Sequence, residues 1–518
     1  MSNATPTAEQ VAQDPPFQPI ADLVAAHARR APTAPAVVDA TGTLDYGSFD
    51  ALIDRVASAL QRDGVRPGEA VAICAASSAW YAAVFLGTLR AGAVLAPLAP
   101  SVTPAAFAAM LHDCGARLLF IDDQASALLD ELVDRPGLVA LQAGTADAVF
   151  ERWLTPVGTR PRSVAITPEM PFNIIYSSGT TGTPKGIVQS HGMRWTHVMR
   201  GPETDHGPET VTLLATPLYS NTTLVTFFPT LAWGGRVVLM DKFNAGRYLE
   251  LSETQRVTHT MLVPVQYQRL LAHPSFGRTD LSSFRLKFCT SAPFSATLKA
   301  EVLERWPGGL IEYYGMTEGG GSCVLVAHEH PDKLHTVGQP VPGHKIRMIG
   351  EDGREVACGE IGEVVGRSAA MMLGYFHQPG KTAESEWFDA EGNRFIRTGD
   401  VGRFDADGFL TLMDRRKDMI ISGGFNVYPS DLEAVLCGHA AVAEAAVVGM
   451  PSEKWGETPV AWVVPRSGAA IDGEALREWA NQRLGKTQRM SALHFTNELP
   501  RSAIGKVLKT ELCQRRRP

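Results

Sequence analysis

A chain of 518 residues is several times the usual domain length, so it can bury a large core and divide into domains. Hydrophobic residues make up 45% and charged residues 20%, which excludes a disordered chain. The net charge is −7, and basic residues cluster only at Arg515, Arg516 and Arg517, which argues against nucleic acid as a partner.

Along the chain, the N-terminal segment has neither the basic start nor the apolar run of a secretory signal. Cysteines at 74, 114, 289, 323, 358, 437 and 513 lack CxxC spacing and read as free thiols in a reducing compartment, so a cytoplasmic location is expected. β-branched runs at 36–39, 71–74, 118–121, 173–176, 236–240 and 260–263 alternate with amphipathic stretches such as 46–63 and 292–306. This alternation predicts parallel sheets covered by helices, an α/β fold. Residues 70–89 carry no charge but are interrupted by Ser77 and Ser78, which reads as a buried strand and a packed helix rather than a membrane span.

From about residue 343, short strands between glycine and Asp-Gly turns predict a small β-rich subdomain. The charged knot 414–418, followed by Gly423-Gly424, has the composition of a hinge, and the last hundred or so residues have strands (442–448, 460–464) and helices (429–437, 473–483) of their own. The expected division is a large domain over 1–414 and a smaller cap over 415–518.

The most informative segment is Tyr176-Ser177-Ser178-Gly179-Thr180-Thr181-Gly182-Thr183-Pro184-Lys185-Gly186, directly after an apolar strand. Its glycines let backbone approach an oxyanion, its hydroxyls donate hydrogen bonds and Lys185 adds positive charge. It is not a Walker loop, because Lys185 follows Pro184 and precedes Gly186.

This loop resembles the phosphate-binding signature of the adenylate-forming superfamily, which includes acyl- and aryl-CoA synthetases, nonribosomal adenylation domains and luciferases. Further motifs follow in the family's order: Tyr313-Tyr314-Gly315-Met316-Thr317-Glu318, Arg397-Thr398-Gly399-Asp400, the charged knot, and Pro500 to Lys506. The resemblance covers roughly residues 20–510. It implies a large N-terminal domain of two α/β subdomains plus a small β-rich subdomain, with a mobile smaller α+β C-terminal domain pivoting near Lys417.

The implied activity is ATP-dependent joining of a carboxylic acid to coenzyme A through an acyl adenylate. The alternative is a stand-alone enzyme that loads a carrier protein. Implied partners are ATP, Mg²⁺, CoA and a small carboxylate of aromatic, alicyclic or medium-chain type, with the enzyme a monomer or homodimer. Ser177, Ser178, Gly179, Thr180, Thr181, Gly182, Thr183 and Lys185 would hold phosphates, Tyr314 adenine, Thr317 the α-phosphate, Asp400 the ribose, and Arg415 the ribose or phosphate side. Glu318 would bind Mg²⁺, a cation that takes few protein carboxylates. Lys506 would be the catalytic cation.

The expected acyl pocket comprises Tyr219, Ser220, Asn221, Val263, Gln266, Ser291, Ala292, Pro293, Gly315 and Gly319, with Gly319 to Gly321 leaving unusual room or flexibility. Gly423, Gly424 and Trp455 would line the CoA tunnel, Trp455 alternatively anchoring the cap's core. Ser220 stands where many relatives have histidine, so no imidazole role carries over. Asn221 stands where amino-acid-activating relatives have aspartate, which argues against α-amino acids.

Overall fold

The computed structural model describes residues 16–130, 132, 136–141, 149–177, 185–415, 418–422, 425–453, 455–466, 468–469, 471–485, 488–502 and 505–515, without the side chains of Ser177, Asp414 and Arg415. The loop residues Ser178, Gly179, Thr180, Thr181, Gly182 and Thr183, the pivot Lys417 and the pair Gly423 and Gly424 lie outside the described residues.

The six predicted β-branched runs form strands within two residues of their expected bounds. Ala70–Cys74, Val94–Pro97, Leu118–Ile121 and Gly137–Ala140 run parallel in a seven-stranded sheet, which Pro171–Ser177 joins in parallel beside Val94–Pro97. Lys185–Ser190 and Gly374–Tyr375 then extend its edge antiparallel. In a nine-stranded sheet, Pro35–Asp39, Arg236–Leu239, Val211–Leu214, His259–Leu262, Leu286–Cys289 and Gly309–Met316 are mutually parallel.

Helices fill the space between these sheets. The largest buried cluster unites Ile73 and Phe172 of one sheet with Val237 and Phe288 of the other, through Phe49, Ile53, Phe85 and Phe228 on helices. The charge-free stretch behaves as expected, with strand Ala70–Cys74 followed by helix Ala79–Arg90, whose N-cap is Ser78. That helix is apolar on all sides because it is buried on all sides. Among the described residues no helix is long and apolar enough to cross a membrane. Four cysteines are buried and Cys358, Cys437 and Cys513 are exposed; all seven are free.

One helix is shorter than its apolar period suggests. It spans Ala296–Arg305 rather than 292–306, because Ser291 adopts φ +80° and Ser295 caps the helix by accepting from Leu298 N–H. The small sheet contains Lys345–Ile349, Gly362–Arg367, Arg394–Phe404, Glu386–Phe388 and Leu410–Arg415. After it, Val442–Ser452 and Gly456–Pro465 form a long hairpin, joined by Ile420–Ser422, Phe425–Val427 and Ala492–Phe495 and packed by Pro429–Cys437 and Gly473–Asn481.

Candidate functional site

A cleft of about 1670 Å³ opens where Leu286–Cys289 and Gly309–Met316 end at their carboxyl sides, the usual ligand position on a parallel sheet. It is lined by Lys185, Tyr219, Ser220, Asn221, Ser291, Tyr314, Gly315, Thr317 and Glu318 from the body of the chain and by Lys506 from its last segment. Residues separated by more than three hundred positions thus share one space.

Strand geometry sorts the two tyrosines of the Tyr-Tyr-Gly segment. Successive side chains of Gly309–Met316 point to opposite faces. Tyr314 reaches the small sheet, where its hydroxyl donates to Asp400 Oδ2 at 2.8 Å. Asp400 also lies directly opposite Arg415 across the strand pair, so the two predicted ribose-side residues are neighbours. Burial, with the Asp400 charge beside it, holds the Tyr314 hydroxyl firmly protonated. Tyr313 turns to the other face, toward Phe288 and the Arg200 side of the cleft.

Glu318 is held by a residue the sequence did not single out. Tyr375 donates to Glu318 Oε1 at 2.8 Å, and Lys185 Nζ lies 5.3 Å from the centre of the same ring. Burial and the adjacent carboxylate push the Tyr375 hydroxyl up, so it stays a donor. The other Glu318 oxygen makes no hydrogen bond to a described residue and lines the cleft, which suits a hard cation that takes one carboxylate and completes its shell with phosphate and water. Beneath Thr317, Gln189 Nε2 donates to the Thr317 carbonyl at 2.7 Å and to Asn221 Oδ1 at 3.4 Å, while its own Oε1 accepts from the buried Arg194.

The Lys506 loop is braced from both sides. Ser502 N–H donates to the Lys506 carbonyl at 2.8 Å, and Arg501 donates to the Gly505 carbonyl at 2.7 Å and pairs with Glu444. Gly505 has φ +77°, and a Cβ there would lie 3.0 Å from Val265 Cγ1 and 3.2 Å from Val263 Cγ2.

That contact corrects one expectation: Val263 does not line the cleft but supports the lysine loop. Gln266 is likewise not a pocket residue. Its amide is used up as a brace, accepting from Val263 N–H at 3.1 Å and donating to the Ala215 carbonyl at 3.1 Å. Ala292 and Pro293 fall outside the lining because the left-handed turn at Ser291 carries the chain out of the sheet, leaving Pro293 exposed. Gly319 also leaves the pocket, and the three glycines provide no free room. A Cβ on Gly319 would sit 1.7 Å from the Ala370 carbonyl oxygen, one on Gly320 3.0 Å from the Gly366 oxygen, and one on Gly321 2.0 Å from Ile346 Cδ1. Backbone at Ala370 and Gly366 and the Ile346 side chain fill that space. Trp455 is 49% exposed, which removes its reading as a core anchor; Trp462 fills that role.

The wall below Tyr313 carries further residues the sequence did not single out: His197, Arg200 and His206, beside Val225, Met261 and Phe288. Burial lowers the pKa of all three basic groups, His206 to about 3. Each histidine is therefore neutral at pH 7, and Arg200 is the standing charge on that wall.

Two family models match the chain: AMP-binding enzyme over residues 24–376 and AMP-binding enzyme C-terminal domain over residues 431–506. A feruloyl-CoA synthase from an Amycolatopsis species is 34% identical over 496 residues, covering 94% of this chain and 97% of that protein. An indoleacetate–CoA ligase of Aromatoleum aromaticum is 33% identical over 492 residues, covering 91% and 93%. The solved amide bond synthetase McbA from Marinactinospora thermotolerans superposes with a TM-score of 0.84 at 30% identity, over 96% of this chain and 99% of that one. With the first model alone matching more than half its length, the chain belongs to the AMP-binding enzymes.

Proposed function

We propose that this enzyme is an ATP-dependent acid–CoA ligase acting on an aromatic, alicyclic or medium-chain carboxylic acid. The observation that carries the reading is the convergence of Lys506 with Lys185, Thr317 and Glu318 on one cleft. Relatives named as CoA ligases at this level of identity support it.

In the first step a carboxylate oxygen attacks the α-phosphorus of ATP and the bond to the pyrophosphate oxygen breaks. Two anions must meet, so cations aimed at the developing charge give most of the rate. Lys506 supplies one ammonium there and Lys185 another, with the loop 177–183 holding phosphate. Thr317 donates to the α-phosphate, Tyr314 covers adenine, and Asp400 with Arg415 takes the ribose hydroxyls. Glu318 would hold Mg²⁺, which neutralises phosphate charge when bound; Tyr375 fixes that carboxylate's orientation.

In the second step the CoA sulfur attacks the acyl carbonyl and the bond to AMP breaks. We assign 1–414 to the body and 415–518 to a cap that pivots near Lys417, so that Lys506 leaves and the thiol enters past Gly423, Gly424 and Trp455. Support comes from Ile421, Phe425 and Trp455, which stand 54%, 61% and 49% exposed around that segment. Apolar surface grouped in this way marks a face that another arrangement covers. Free thiols at the surface suit a reducing, cytoplasmic compartment.

Purified enzyme with ATP, Mg²⁺, CoA and a panel of acids is expected to release pyrophosphate and AMP and yield an acyl-CoA by mass spectrometry. Acyl transfer to a holo-carrier protein but not to CoA would overturn the ligase assignment.

A further inference from the structure

On the acyl side of the cleft, Arg200 and Tyr313 present hydrogen-bond donors with no carboxylate acceptor among the described residues. Among the described residues Arg200 forms no ion pair, and the only side chain within hydrogen-bond distance of its guanidinium is His344, with Nη2 2.8 Å from His344 Nε2. That contact cannot be a good hydrogen bond. His344 Nδ1 accepts from the Ser322 backbone N–H at 2.9 Å, so in the neutral ring the proton sits on Nε2. Two N–H groups therefore face each other. Burial and the Arg200 charge take the His344 pKa down to about 4, which keeps the ring neutral at pH 7.

Tyr313, on the same face, has a hydroxyl with no hydrogen-bond partner among the described residues, and burial pushes its pKa up to about 12. The one carboxylate whose charge reaches Arg200 and Tyr313 is Glu203, which is exposed and not within ion-pair distance of the guanidinium. Arg200 is partly buried, which weakens its hydration, and it faces the cleft together with the Tyr313 hydroxyl, so an incoming anion gains more there than at an exposed arginine.

Register gives the distance from the chemistry. Tyr313 stands four positions before Thr317, with the strand irregular between Tyr314 and Met316, a span of roughly 10–13 Å at about 3.3 Å per residue. Val225, Met261 and Phe288 give the same cleft apolar wall.

We propose that Arg200, with the Tyr313 hydroxyl, binds a second carboxylate at the far end of the acid, so that the substrate is a dicarboxylic acid whose two ends are separated by an apolar spacer. This rests on the ligase reading and refines it. A guanidinium hydrogen-bonding an oxyanion is a strong, geometrically selective contact, and a site built for it discriminates against an analogue that lacks it.

The test measures kcat/KM for acid-dependent pyrophosphate release with straight-chain diacids of roughly six to ten carbons, a span set by the strand rise, against monoacids and ω-hydroxy acids of equal length. The best diacid is expected to exceed its monoacid and hydroxy partners by about 10- to 100-fold. Arg200→Met is expected to abolish that preference, and Arg200→Lys to restore part of it, with thermal unfolding confirming that both variants fold. Equal or better use of the monoacid or the hydroxy acid by the wild-type enzyme, or an unchanged ratio in Arg200→Met, would overturn the proposal. Pyrophosphate release with no acid at all would instead defeat the ligase reading, and the proposal with it.

Discussion

Replacing Lys506 by alanine is expected to lower acid-dependent pyrophosphate exchange by about 10²- to 10³-fold. Acyl-CoA formation from supplied acyl adenylate should stay within a few-fold of wild type. The asymmetry follows from where the charge is needed. Attack on the α-phosphorus brings a carboxylate against a phosphate, and an ammonium fixed in a cleft of low polarity offsets that repulsion. Attack by sulfur on a mixed anhydride has no such collision of anions. Because Val263 and Val265 brace the backbone at Gly505, truncating the side chain leaves the loop in place, and the loss reports the ammonium itself. Rates of the two partial reactions measured separately decide the matter, and an equal loss in both would contradict the division.

Gly319→Ala should be the most destabilising small substitution near the site. The residue has φ +79°, and the new methyl carbon would lie 1.7 Å from the Ala370 carbonyl oxygen, a backbone atom that cannot swing away. Left-handed strain and enforced backbone displacement each cost on the order of 1–3 kcal/mol, so a loss of about 2–6 kcal/mol is expected. Gly343→Ala provides the control: φ is also +79°, but nothing lies within 4 Å of the added carbon. Its unfolding temperature should fall much less than that of Gly319→Ala. Equal shifts in the two variants would mean that dihedral strain, rather than contact with Ala370, is what requires glycine at 319.

These glycines mark a boundary of what sequence can convey. Gly319-Gly320-Gly321 reads as free space because a glycine has no side chain, but the space belongs to whichever atoms pack there, and Ala370, Gly366 and Ile346 are distant in sequence. Regular elements were legible because buried parallel strands must be short β-branched runs, as at 71–74 and 118–121. One helix start was legible where Ser77 and Ser78 break the charge-free run, and another misplaced where the left-handed residue Ser291 intervened.

The motif residues Lys185, Thr317, Glu318 and Lys506 were identified through resemblance, and the fold brings them to one cleft. Tyr375 was not, because its part depends on a two-residue strand pairing with Lys185–Ser190, which places its hydroxyl on Glu318. Arg200 follows a helix whose sequence has no recognisable chemistry; only the unpaired donors around it single it out. Gln266 lies in a segment expected to form the pocket but spends its amide on two backbone groups, an assignment that periodicity cannot reveal.

The most direct measurement is the fate of a labelled oxygen. An acid enriched in ¹⁸O at its carboxylate, turned over with ATP and CoA, should deliver one labelled oxygen to AMP and none to pyrophosphate, because a carboxylate oxygen becomes the bridge to the α-phosphorus and remains there when sulfur displaces it. Label appearing in orthophosphate alongside ADP, or unlabelled AMP from an acid fully converted to thioester, would contradict attack at the α-phosphorus and the role given to Lys506.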